Sequence, residues 1–175
     1  MPVGITADIE GQEDVILVGA KDGVSKFDLS TGKHEYIAKF FPGKEESVEA
    51  RSMRANDGAV DSSGRFWVEI FTDPTVKAPG DEGKLLRLDL DGQLRTMYEN
   101  VTIPNGISWN AQDNTMFFTD CKYSLSVKTR VGVPEACLRR MSMPKKAFLA
   151  VYSLLNRYKL TRYCSADSGR LCLRL

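Results

Sequence analysis

The sequence of 175 residues contains a single histidine, His34, and no cysteine before Cys121. A Ser-His or Cys-His catalytic set would need that one imidazole. It sits beside a hairpin turn, where a solvent-facing strand residue is the simpler reading. The four cysteines, Cys121, Cys137, Cys164 and Cys172, include no Cys-x-x-Cys pair, so a zinc finger or ribbon is unsupported. No apolar run is long enough to span a bilayer. No basic segment followed by an apolar one opens the chain, so neither a secretory signal nor a transit peptide is readable. The expectation is a soluble, cytoplasmic protein. Helical periodicity is also hard to find before Asp120.

Charge is present but unevenly placed. Residues 1–120 hold 12 Lys and Arg against 21 Asp and Glu, whereas residues 121–175 hold 12 against only Glu135 and Asp167. Both tryptophans, Trp67 and Trp109, lie in the acidic part. The two compositions predict an all-β unit over residues 1–120 and a separate basic, Cys-containing tail over residues 121–175, with a helix expected near Met143 to Leu160. No recognition motif frames the basic charge, so neither nucleic acid nor membrane is expected as a partner.

Three stretches of the acidic part repeat one pattern: a glycine with alternating apolar residues, a polar turn, then β-branched or aromatic residues. They open at Gly4, Gly58 and Gly106, at a spacing that fits a propeller blade better than a helical repeat. Between them, Thr31-Gly32 and Asp91-Gly92 flanked by alternating residues predict hairpins. An ordinary β-sandwich is the alternative, and the period decides against it.

Two segments place polar side chains just before a glycine read as opening an inner strand: Arg54-Ala55-Asn56-Asp57-Gly58 and Ile103-Pro104-Asn105-Gly106. Inner strands of neighbouring blades start beside one channel, so asparagine and aspartate oxygens there suit a hard cation. Either segment alone reads as turn chemistry, and Asp57 reads as a backbone-bonding turn residue. Asp89-Leu90-Asp91-Gly92 lacks the remaining ligands of a calcium loop.

The run from Arg54 through Asn56-Asp57-Gly58 to Gly64-Arg65-Phe66-Trp67-Val68, with Gly83-Lys84-Leu85-Leu86-Arg87-Leu88-Asp89 and Ile103-Pro104-Asn105-Gly106-Ile107-Ser108-Trp109, resembles the gluconolactonase family that includes regucalcin and luciferin-regenerating enzyme. The match covers about residues 4–120. The resemblance implies a six-bladed β-propeller, of which this chain supplies two to three blades, holding one divalent cation (Ca²⁺, Zn²⁺, Mg²⁺ or Mn²⁺) and hydrolysing sugar lactones to aldonic acids. It assigns metal binding to Asn105, and catalysis and substrate binding to Arg54 and Asn56.

Departures from the family pattern are also visible. A first-blade Glu and an Asp from a Pro-Asp-Gly-type motif are missing, and Glu69-Ile70-Phe71 stands where Gly-Thr-Met is usual, which alters the substrate wall and leaves Asp73 or Glu69 as a candidate contributor there. A truncated, catalytically impaired lactonase with a weakly bound cation is therefore expected. The alternative is a non-catalytic binding or scaffold fragment that recruits partners, or itself, through open sheet edges.

Overall fold

Alternating residues form the strands, as expected. The computed structural model describes residues 2–121, 125–130, 139–142 and 172–173, the last three segments by their backbone; the helix expected near residues 143–160 and most of the basic tail lie outside them. The first sheet is an antiparallel meander of β1 (Ile5–Ile9), β2 (Gln12–Gly19), β3 (Gly23–Asp28) and β4 (His34–Lys39). The second runs through β5 (Met53–Val60), β6 (Phe66–Thr72), β7 (Gly83–Leu88) and β8 (Leu94–Val101). The third takes β9 (Pro104–Trp109), β10 (Thr115–Asp120), β11 (Leu125–Arg130) and β12 (Arg139–Ser142), so its outer pair lies past Asp120. A two-residue β13 (Cys172–Leu173) pairs in parallel with β1.

The first strands of the three sheets, β1, β5 and β9, lie side by side. Each sheet then runs outward from them, which is the blade arrangement of a β-propeller. The predicted hairpins are present, with Gly32 at φ 69° and Gly92 at φ 78°, a left-handed backbone that glycine adopts without strain. A one-turn helix, α1 (Val48–Ser52), joins the first two blades, capped by Ser47 Oγ accepting from the Ala50 N–H at 3.1 Å. A single turn leaves no periodicity to read, so the sequence does not disclose it.

Packing follows the two faces of β6, which is buried at all seven positions. Phe66, Val68 and Ile70 point toward the first blade, where they join Leu17 and Val24 of that blade and Met53 and Leu86 of their own in one cluster. Trp67 points the other way, against Trp109, Leu85, Met116 and Phe118 of the second and third blades. Withdrawing each such side chain from water contributes about 1.5 to 3 kcal/mol, so the two clusters set the spacing of the blades. The blade junction is tight: a Cβ on Gly4 would stand 2.6 Å from the backbone of Ala55. Among the described residues no helix is long and apolar enough to cross a membrane.

Candidate functional site

Both asparagines sit on β-bulges rather than ahead of the strands. Pairing of β5 with β6 passes from Ala55 with Ile70 to Gly58 with Val68, so Asn56 and Asp57 together face Glu69. Pairing of β9 with β10 passes from Pro104 with Asp120 to Ile107 with Phe118, so Asn105 and Gly106 face Thr119. Two residues against one is a bulge, which bends an inner strand and re-aims its side chains. Asn56 and Asn105 therefore hold equivalent positions in neighbouring blades. The glycines used to align the repeats are one residue out of step, because Gly58 matches Ile107 in register and Gly106 matches Asp57.

The structure brings these two bulges together. Asn56 Nδ2 donates to the Pro104 carbonyl at 2.7 Å. Asn105 itself is exposed, launched next to Gly106, whose φ of 121° is open to glycine alone. Just upstream, the buried Asp120 carboxylate accepts from the N–H groups of Thr102 at 2.9 Å and Ile103 at 3.0 Å, which fixes the entry to β9.

Arg54 lies two residues before Asn56 on the same strand and side. Its guanidinium donates to the Ala55 carbonyl at 3.0 Å, approaches Asp73 at 3.4 Å and stacks 4.9 Å from the centre of the Phe71 ring. Asp73 is held below its ordinary carboxylate range chiefly by hydrogen bonds from Thr75, with the Arg54 charge adding to them. Asp57 Oδ1 accepts from the Gly58 N–H at 2.8 Å, the backbone-bonding role expected from its motif. Asp57 also borders a cleft of about 300 Å³ walled by Val3 to Thr6 of the first blade and Gly58 and Ala59 of the second.

Glu69 is the residue whose role the sequence conceals. It faces the same way as Trp67 and is fully buried, and both its oxygens lie within reach of the Gly106 N–H, at 3.2 and 3.3 Å. Burial raises its pKa well above the ordinary 4.5. The nearby Asp57 and Asp120 charges push the same way, while the Gly106 N–H opposes them. A carboxylate inside a run as apolar as Phe66-Trp67-Val68-Glu69-Ile70-Phe71 was the one available signal of a special environment.

A stability effect follows from that carboxyl. A raised folded pKa means that the native chain binds the proton more tightly than the unfolded one. The Glu69 contribution is thus fully present below pH 4.5 and lost as pH rises toward the folded value. Asp28 and Glu82, both lowered to about 2 by hydrogen bonds, act in the opposite direction and only at more acid pH. The urea midpoint is expected to fall as pH rises above 4.5, and Glu69→Gln is expected to flatten that fall. An unchanged slope in Glu69→Gln would remove Glu69 as its source.

The oxygen chemistry here suits a hard cation in kind, since the Asn105 carboxamide is exposed and the Asn56 amide nitrogen, already committed to Pro104, leaves its oxygen as the acceptor. In number the donors are few. The carboxylates of Asp57, Glu69 and Asp120 already accept backbone N–H groups, and among the described residues no group of three His, Cys, Asp or Glu side chains could hold a metal ion.

A family model described as the SMP-30/gluconolactonase/LRE-like region matches residues 1–137. The 6-deoxy-6-sulfogluconolactonase of Pseudomonas putida is 28% identical over 104 residues, covering 59% of this chain and 33% of that protein. Regucalcin of Oryctolagus cuniculus is 28% identical over 74 residues, covering 41% and 25% respectively. Among solved structures, the calcium-binding protein regucalcin from Agrobacterium tumefaciens superposes with a TM-score of 0.65 at 20% identity, over 80% of this chain and 44% of that one. The chain spans about a third of the length of the curated relatives it matches. With three blades in place and the family match running through both asparagine bulges, the chain belongs to the SMP-30/gluconolactonase/LRE-like family.

Proposed function

We propose that these blades carry part of a metal-dependent sugar-lactone hydrolase site, centred on Asn105, Asn56 and Arg54. The observation that supports it most is the equivalence of the two bulges, which sets two carboxamides at the same level of adjacent inner strands. Asn105 would hold the cation through its side-chain oxygen. A divalent cation bound there supplies Lewis-acid polarisation of an ester carbonyl. Arg54 supplies a fixed positive charge for the oxyanion that develops as a lactone opens, and Asp73 and Phe71 keep its guanidinium from swinging away. Asn56 orients the substrate by its oxygen. With so few protein donors the cation is held weakly, and turnover is slow.

The test is hydrolysis of an aldonolactone with added Ca²⁺, Zn²⁺, Mg²⁺ or Mn²⁺. Metal-dependent turnover is expected, falling about 100-fold or more in Asn105→Ala, since a direct ligand should matter at least as much as an outer-shell partner. Turnover indifferent to both metal and Asn105 would overturn the proposal. Peptide binding along the sheet edges with no turnover would favour a scaffold role instead.

A further inference from the structure

We propose that Glu69 is a positioning residue for Asn105, acting with Asn56 as a two-sided clamp that the second blade closes on the third. The inference rests on the reading of Asn105 as a cation-binding side chain. Two peptide units flank Asn105. The carbonyl of the first, from Pro104, accepts from Asn56 Nδ2 at 2.7 Å, and the N–H of the second, from Gly106, donates to both Glu69 oxygens at 3.2 and 3.3 Å.

Both clamping side chains belong to the second blade, one from β5 and one from β6, at the bulge and directly opposite it. The need for a clamp is local. Gly106 at φ 121° occupies a backbone region with no side chain to restrain it, and a Cβ there would meet nothing within 4 Å. Without an external acceptor the peptide beside Asn105 would lose its fixed orientation. Glu69 is fully buried, so it is unavailable to substrate and acts only through Gly106.

The experiment compares Glu69→Ala and Glu69→Gln in the full chain with two readouts: hydrogen exchange of the Gly106 amide by NMR, and Mn²⁺ affinity by calorimetry. In Glu69→Ala the Gly106 amide is expected to exchange about tenfold faster or more, as loss of a hydrogen bond to a carboxyl group implies. Mn²⁺ affinity is expected to fall about tenfold. Glu69→Gln retains an acceptor oxygen and is expected to restore both to within about threefold. Should Glu69→Ala fail to fold, Glu69→Met keeps the volume and removes both acceptors. In the unsubstituted chain, a Gly106 amide exchanging at the free-peptide rate overturns the clamp with no variant needed. Faster exchange with unchanged Mn²⁺ affinity overturns the positioning role. If the unsubstituted chain binds no Mn²⁺, the lactonase reading of Asn105 fails and the positioning role falls with it, while slow Gly106 exchange would still uphold the hydrogen bond itself.

Discussion

Asp61→Ala is expected to destabilise the chain by about 2 to 4 kcal/mol, because it removes a buried carboxylate that accepts four hydrogen bonds, one of them from a partly exposed guanidinium. Asp61 closes the β5–β6 hairpin and is 3% exposed. One oxygen accepts from the N–H groups of Ser63 and Arg65, both at 3.0 Å; the other accepts from Arg65 Nε at 2.7 Å and Trp67 Nε1 at 2.9 Å. Alanine leaves the buried indole N–H without its acceptor and releases the partly exposed guanidinium, while the hairpin loses its tie. Trp67 then loses its anchor in the cluster shared with Trp109, whose ring lies 6.2 Å away edge-on. Asp61→Asn keeps one oxygen acceptor and should cost about half as much. Urea denaturation of the three chains decides it, and a loss below about 1 kcal/mol in Asp61→Ala would show that solvent replaces the carboxylate.

Phe118→Ala is expected to cost a similar amount, about 3 to 5 kcal/mol, by leaving a cavity between the second and third blades. Phe118 is completely buried and meets the Tyr98 ring edge-on at 6.0 Å. It pairs with Ile107 at the end of the β9 bulge, so the cavity opens directly behind the strand that carries Asn105. A stability loss is therefore expected together with weaker protection of the Gly106 amide. Phe118→Leu should retain most of both, because the site can repack around a smaller apolar group. Equal stability of Phe118→Ala and the unsubstituted chain would mean that the two blades are not held by this contact.

Several of these features were legible in the sequence for physical reasons. Thr31-Gly32 and Asp91-Gly92 need a left-handed glycine, and that demand is written in the residue type. Strand alternation and the blade-length period reported the meanders, although β6, covered on both faces, carries no such alternation. The repeated motifs that contain Asn56 and Asn105 were visible as well, and the structure places both residues at bulges of inner strands.

What stayed hidden depends on contacts between blades. Asn56 reaches Pro104 and Glu69 reaches Gly106 across 48 and 37 residues of sequence, and no local pattern encodes such pairs. Asn-Asp-Gly and Asn-Gly have the same composition at a bulge and at a turn ahead of a strand, so residue type alone does not separate them. Only the pairing register separates the two, and it also showed that the asparagines, not the glycines, are the repeating element.

The most direct test of the proposal that Asn56 sits beside a cation held by Asn105 is paramagnetic broadening by Mn²⁺ of the side-chain amide signals. The expected result is that Asn56 and Asn105 broaden together at low Mn²⁺, while Asn110 and Asn114, bonded to each other in the β9–β10 turn, stay sharp. Broadening of the turn asparagines first, with Asn56 and Asn105 unaffected, would contradict it.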